Sequence, residues 1–222
     1  MARIARIVAA NLPHHITQRG NRRQQTFFRD EDYRLYRTLM ADWCNKHGVE
    51  VWAYCLMPNH VHLVAAPKSE DSLRRAIGEA HRRYTRYVNF REGWRGHLWQ
   101  GRFHSFPMDE SYYLTVARYV ELNPVRARLV SQPEYYPWSS ASAHLSGRDD
   151  MLVKVAPLLE MVDDWATVLR AEIENKRLKE IRHHECTGRP LGDISFVERL
   201  ESVLCRSLRR RKPGPKTKEK EN

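Results

Sequence analysis

Residues 49–66 constrain the fold more than any other stretch. Val49 to Cys55 is rich in β-branched and aromatic residues, Met57-Pro58-Asn59 is a turn sequence, and His60 to Ala66 is a second apolar run. The segment therefore reads as a β-hairpin. Side chains at i and i+2 of a strand share a face, so His60 and His62 stand side by side while Val61 and Leu63 point the other way into packing. Two imidazoles presented together are half of a metal site. Taken alone, they are also compatible with a polar pair on a half-exposed strand.

The flanking segments extend the hairpin into a recognisable order. Residues 12–18 read as a first strand, followed by a basic turn containing Arg19, Asn21, Arg22 and Arg23. From Asp30 to His47, Leu35, Tyr36, Leu39, Met40 and Trp43 recur at helical spacing, and Gly48 is placed to stop the helix. Ser69 to Phe90 predicts a second helix. Its inner stripe is Leu73, Ala76, Ile77, Ala80 and Tyr84, and its outer face holds Arg74, Arg75, Arg82, Arg83 and Arg86. After a loop with Trp94 and Trp99, Arg102 to Met108 can form a fourth strand. The order β-α-β-β-α-β predicts an α+β, ferredoxin-like (split βαβ) fold. Its antiparallel sheet has two helices on one face, leaving the other face free for a site.

A third helix is expected from Asp109-Glu110 to Asn123-Pro124, since acidic residues suit a helix N-terminus. The polar stretch Ser146 to Asp150 marks a boundary after a first domain, residues 1–145. Beyond it, Val168 to Ile181 and Ser195 to Leu208 predict two helices in a C-terminal extension, residues 146–205, the second opened by a Ser195–Glu198 capping box. The pair suits either a helix-turn-helix-like DNA reader or a helical hairpin packed on the first domain. Residues 206–222 form a basic tail with eight Lys or Arg against two Glu, and Pro213 and Pro215 forbid a regular helix there.

Charge narrows the partners. The chain has 38 Lys and Arg against 27 Asp and Glu, a formal net charge of +11 in 222 residues. That excess favours a polyanion, either nucleic acid or an anionic membrane surface. No apolar run is long enough to span a membrane, and MARIARIVAANL is too short and broken for a secretory signal, so a cytoplasmic protein is expected. Cys44, Cys55, Cys186 and Cys205 are scattered without a C-x-x-C pair, which favours free thiols over disulfides or a structural zinc site.

Tyr119 and Asn123 lie four apart on the third helix and so emerge on one face. If that face covers the free side of the sheet, Asn123 can be a third metal ligand beside His60 and His62, with Tyr119 above a phosphate held by the metal. Such a set suits Mg²⁺ or Mn²⁺: Mg²⁺ prefers oxygen donors, and Mn²⁺ accepts imidazole more readily. Tyr112, about two turns earlier, is the rival nucleophile.

MPNHVHLV resembles the His-hydrophobic-His motif of the single-tyrosine HUH transposases of bacterial insertion sequences, and RYVELNPVRA resembles the catalytic helix of one branch, the REP-associated tyrosine transposases. ITQRGNRRQQTFF, LWQGRFHS, YPWSSA and GRPLGDISFVERLE with RKPGPK also look like that branch, so the resemblance spans nearly the whole chain. It implies that Tyr119 is a nucleophile forming a covalent 5′-phosphotyrosine, and that His60, His62 and Asn123 hold Mg²⁺ or Mn²⁺. It also implies a substrate of single-stranded DNA folded into palindromic hairpins, cut and rejoined by a monomer in the cytoplasm, associated with the nucleoid. Insertion-sequence relatives commonly carry glutamine where Asn123 stands. Arg19, Asn21, Arg22, Arg23 and Arg102 are DNA-contact candidates, as are Arg189 and the run Arg209, Arg210, Arg211 and Lys212; Trp99 and Phe103 suit either base stacking or core packing. Two other readings are kept: a catalytically silent DNA- or RNA-binding module on the same fold, and a zinc hydrolase, which lacks a zinc-type third ligand near the motif.

Overall fold

The computed structural model describes residues 5–209. Arg210, Arg211, Lys212 and the rest of the basic tail lie outside the described residues. Within them the chain forms β1 (His14–Arg19), α1 (Asp30–Lys46), β2 (Val49–Met57), β3 (His60–Pro67), α2 (Ser72–Glu92), β4 (His104–Pro107) and α3 (Glu110–Glu121). Helices α4 (Asn123–Arg126), α5 (Ala141–Ser146), α6 (Ala156–Leu159), α7 (Trp165–Arg170), α8 (Asn175–Thr187) and α9 (Ile194–Val203) follow. The strands form one antiparallel sheet in the order β2-β3-β1-β4. This is the expected ferredoxin-like arrangement, with β1 and β3 in the centre.

Strand alternation sorts the sheet into two faces. Ile16, Val51, Tyr54, Leu56, Val61, Leu63 and Ala65 join the buried residues of α1 and α2 in one core. Gly48, at φ +61°, ends α1 in the left-handed conformation that favours glycine and leads directly into β2. Ala53, Cys55, Met57, Val64 and Phe106 belong to a second core on the opposite face.

The sequence left that second face free for a site, but it is covered: α3 packs on β2 and β3, and α8 packs on β4. Its apolar side chains require cover, and Val116, Val120, Trp165, Leu169 and Ile181 supply it. Residues of the extension thus share a core with the four-stranded sheet. The connector after α8 continues this contact: Leu191 N donates to Pro107 O and Leu191 O accepts from Asp109 N, so it lies along β4. Helix α9 packs elsewhere, with Phe196 and Leu200 against Ile7, Ala9 and Leu208. Of the two readings of the extension, the structure has packed helices that rest on different parts of the body.

Two local expectations change. The helix expected over 168–181 is broken between α7 and α8, where Ala171 is extended. The guanidinium of Arg118 reaches in from α3 to donate to the carbonyls of Val168 and Glu172, which satisfies backbone groups that a helix break leaves unpaired. Helix α9 is capped by Asp193 rather than Ser195: the carboxylate accepts from Phe196 N and from the Ser195 hydroxyl.

Candidate metal centre and nucleophile

The β1–β3 register pairs Thr17 with His62, Arg19 with His60 and His15 with Val64. Directly opposed residues of an antiparallel pair point to the same side. His15, Arg19, His60 and His62 therefore share the face covered by α3 and α8. His14 points the other way and is held structurally, with Nδ1 against Leu12 O at 2.7 Å and Nε2 accepting from Ala9 N.

His15, His62 and Glu185 converge at the centre. His15 Nε2 and His62 Nδ1 are 3.0 Å apart, and Glu185 Oε1 lies 3.7 Å from Nδ1 of each ring. Among the described residues this is the one group of histidine and carboxylate donors close enough together to share an ion. Two of its atoms, His15 Nδ1 and Glu185 Oε1, are buried without a hydrogen-bond partner. Unpaired polar atoms in the interior are costly. A shared divalent cation would satisfy both, so this donor set fits a metal. It also supplies the carboxylate beside the motif whose lack weighed against zinc.

The electrostatics agree with a ligand role. Burial pulls His15 down to about 3 and, with Arg19 beside it, His60 down to about 4. Burial and the neighbouring His15 and His60 hold His62 well below its usual range. These imidazoles are therefore neutral at pH 7, the form that binds metal. Burial raises Glu185 to about 7, against the opposing influence of Tyr119, Arg182, Arg19 and Arg126.

Tyr119 sits over the same face. Its ring centroid is 5.9 Å from that of His62 and 6.0 Å from that of His15, both edge-to-face. The residue is 6 % exposed, and burial raises its phenol above the ordinary value, as does Glu185, while Arg126 and Arg182 pull it back. Arg126 covers the ring at 4.2 Å and donates to Tyr119 O and to Asn123 Oδ1.

The structure thus brings His60, His62 and Tyr119 together, the two imidazole rings 5.1 Å apart with His60 Nδ1 against Asn59 Oδ1. Asn123 enters through Arg126: its oxygen accepts from that guanidinium and its amide donates to Val120 O, with no hydrogen bond to either histidine among the described residues. Tyr112 is occupied elsewhere, donating to Glu180 under the guanidinium of Arg177.

Of the DNA-contact candidates, Arg19 is exposed at the site's edge, and Arg22 and Arg23 are exposed in the turn after β1, both at positive φ, with Asn59 donating to Arg23 O. Asn21 is half-buried and donates its backbone N–H to Leu98 O. Arg102 is exposed. Arg189 donates to Leu208 O, and Arg209 pairs with Glu198 and Glu201. Trp99 and Phe103 are buried in the core under α1 and α2, which answers the choice between stacking and packing.

Sequence reasoning missed His15 and Glu185. A faint signal existed for each: His15 alternates with Ile16 in HHITQR, and Glu185 follows two histidines in RHHECTGRP.

A search of curated proteins finds no match. Among solved structures, the chain is similar to a REP-associated tyrosine transposase bound to a REP hairpin, with TM-score 0.57 and 21 % identity over 68 % of this chain and 90 % of that one. A candidate transposase from Deinococcus radiodurans matches more loosely, with TM-score 0.39 and 21 % identity over 54 % of this chain and 96 % of that one. Among the described residues no helix is long and apolar enough to cross a membrane. The family model of the IS200-like transposases matches residues 8–123, from the segment before β1 to the end of the tyrosine helix, and the chain belongs to that family.

Proposed function

We propose that the chain is a metal-dependent endonuclease and strand transferase acting on single-stranded DNA folded into palindromic hairpins, as a monomer, with Tyr119 as nucleophile. The observation carrying this reading is that Tyr119 and the buried histidines lie within 6.0 Å, ring to ring, on one sheet face. The choice of hairpin DNA draws support from the ligand of the related structure and from the net charge of +11.

In this reading the Tyr119 oxygen attacks the scissile phosphorus as the bond to the 3′ oxygen breaks. The 5′ phosphate stays on Tyr119, and the leaving oxygen takes a proton to become a free 3′-hydroxyl. Attack by a 3′-hydroxyl on the phosphotyrosine reverses the step and joins strands. A phenol of reference pKa about 10 costs roughly 4 kcal/mol to ionise at pH 7. Burial and Glu185 raise that cost further, and Arg126 and Arg182 offset only part of the rise. His62, His15 and Glu185 would hold the cation with His60 at its edge, and Glu185 is favoured as third donor because Asn123 Oδ1 already accepts from Arg126. A bound Mn²⁺ or Mg²⁺ would polarise the phosphate and offset charge in the transition state, and two imidazole donors favour Mn²⁺. Arg19, Arg22, Arg23 and Arg102 follow the DNA backbone.

Incubation with a labelled palindromic hairpin and Mn²⁺ tests the proposal. A covalent protein–DNA adduct is expected, and Tyr119→Phe should abolish it while retaining hairpin binding. Two histidines and a carboxylate are also a zinc donor set. Cleavage that continues in Tyr119→Phe without an adduct would favour a metal hydrolase, and binding without cleavage by the unaltered protein would favour a silent binding module.

A further inference from the structure

The outward face of α2 is chemically distinct. Its inner residues are buried against the sheet and α1, whereas Arg74, Arg75, Arg82, Arg83 and Arg86 are exposed, and the helix contains no lysine. Asp71 engages Arg74 and Arg75, and Glu79 accepts from Arg82 and Arg83. Among the described residues Arg86 pairs with no carboxylate. The face keeps an excess of positive charge.

Aromatic rings interleave with these guanidiniums. Arg82, Arg83, Arg86, Tyr87 and Phe90 line an open groove of about 400 Å³. Phe90 is 90 % exposed. At the rim, Trp43 of α1 carries Arg83 on its ring at 4.8 Å, with Lys46 at 4.8 Å from the same ring. That cation–π contact holds the guanidinium in place.

Planar guanidiniums bind phosphate in two-point contacts and stack on flat rings, which lysine does not do. Single-stranded nucleic acid pairs such cations along its backbone with rings against its bases. A duplex hides its base faces, and one phenyl ring with one tyrosine offers little apolar area to a bilayer. The groove lies beyond the core of α1, α2 and the Ile16–Leu63 sheet face, on the side opposite His62 and Tyr119.

We propose that this α2 groove is a second binding surface for single-stranded nucleic acid, gripping one or two nucleotides on the reverse of the catalytic face. It goes beyond the cleavage reaction and does not depend on it, since binding is read without strand breakage.

The test measures binding of a labelled oligothymidylate of about 20 nucleotides by anisotropy over a range of salt, in the full chain and in variants on this face. Phe90→Ala should weaken binding fivefold or more, the lower end of the effect of losing one base–aromatic stack. Arg86→Ala should reduce the salt slope by about 0.7, the loss of one phosphate contact. Glu79→Gln releases Arg82 and Arg83 and should tighten binding, the opposite sign to the other two. Thermal midpoints monitor folding, and adduct formation with a short hairpin should stay unchanged in Phe90→Ala. Affinities within twofold of the parent for all three variants would overturn the proposal. So would unchanged oligothymidylate binding in variants that lose affinity for phosphatidylserine vesicles, which would make the face a membrane contact.

Discussion

Replacing Trp165 with phenylalanine should destabilise the protein by about 3 kcal/mol, through a carboxylate 44 residues earlier in the chain. Glu121 is fully buried on the last turn of α3. Its Oε1 accepts from the Ser140 hydroxyl and from His144 Nδ1, and its Oε2 accepts from Trp165 Nε1 at 2.9 Å. The His144 ring stacks on Trp165 at 4.3 Å. One side chain thus ties α3 to the segment before α5, to α5 and to α7. Phenylalanine keeps much of the stacked ring but removes the N–H, leaving Oε2 without its donor away from water. Losing a hydrogen bond to a charged group costs about 1.5–3 kcal/mol. The smaller ring forfeits roughly 30–40 Å² of buried apolar area, or about 1 kcal/mol at 25 cal/mol per Å².

Urea unfolding at pH 7 followed by far-ultraviolet circular dichroism measures this difference. The same substitution in a Glu121→Leu background separates the two contributions, because only the ring-size cost of about 1 kcal/mol should remain there. A coupling of roughly 2 kcal/mol is therefore expected. Tyr119 precedes Glu121 by two residues on the same helix, so adduct formation, if Tyr119 is the nucleophile proposed, should slow in Trp165→Phe although Tyr119 itself is untouched. A single-mutant cost below about 1 kcal/mol, or equal costs in both backgrounds, would refute the idea that the carboxylate network anchors this helix.

Glu185→Gln should weaken Mn²⁺ binding measured by calorimetry tenfold or more, whereas Asn123→Ala should change it less than threefold; the reverse order would assign the third donor to Asn123. Stability of the metal-free protein should fall as pH drops from about 6.5 toward 4. Burial lowers His81 to about 3 and His14 to about 4, so in this window the unfolded chain takes up protons that the folded chain refuses. Each group contributes up to about 1.4 kcal/mol per pH unit. Glu185, raised to about 7, acts with the opposite sign between 4.5 and 7, and the two histidines outweigh it. Thermal midpoints that stay level from pH 7 to pH 4.5 would contradict the neutral burial of these rings.

Which parts of the site were readable follows from how each residue is brought there. His60 and His62 lie on a hairpin strand, where alternation alone decides which side chains share a face. Tyr119 is on α3, whereas Asn123 opens the short helix α4 after Leu122, so helical spacing located the tyrosine but did not carry Asn123 to the histidines. His15 required the β1–β3 register, which is set between strands more than 40 residues apart and leaves no local trace. Two adjacent histidines always point to opposite faces, and HHITQR does not say which one meets His62. Glu185 was less accessible still, since its helix begins only after the break that Arg118 stabilises from a different element. The expectation of a free sheet face failed for a related reason. Ala53, Cys55, Val64 and Phe106 are small or spaced enough to read as ordinary strand residues, yet together they form an apolar surface that must be covered.

That cover makes the extension part of the site. The family match ends at residue 123, but Glu185 comes from α8 and contributes the carboxylate of the cluster that could hold a metal. Tyr112 and Glu180 add a second link between the tyrosine helix and α8, and Arg118 ties the same helix to the backbone of α7 and of the segment after it. A chain ending at residue 145 would retain His15, His60, His62 and Tyr119 while exposing the face that Trp165, Leu169 and Ile181 bury. It would also lose the one carboxylate of the donor cluster. Part of the burial that holds the imidazoles neutral, and the carboxylate of their donor cluster, therefore come from the segment after the match, so the chemistry of the site and the packing of the extension are two consequences of one arrangement.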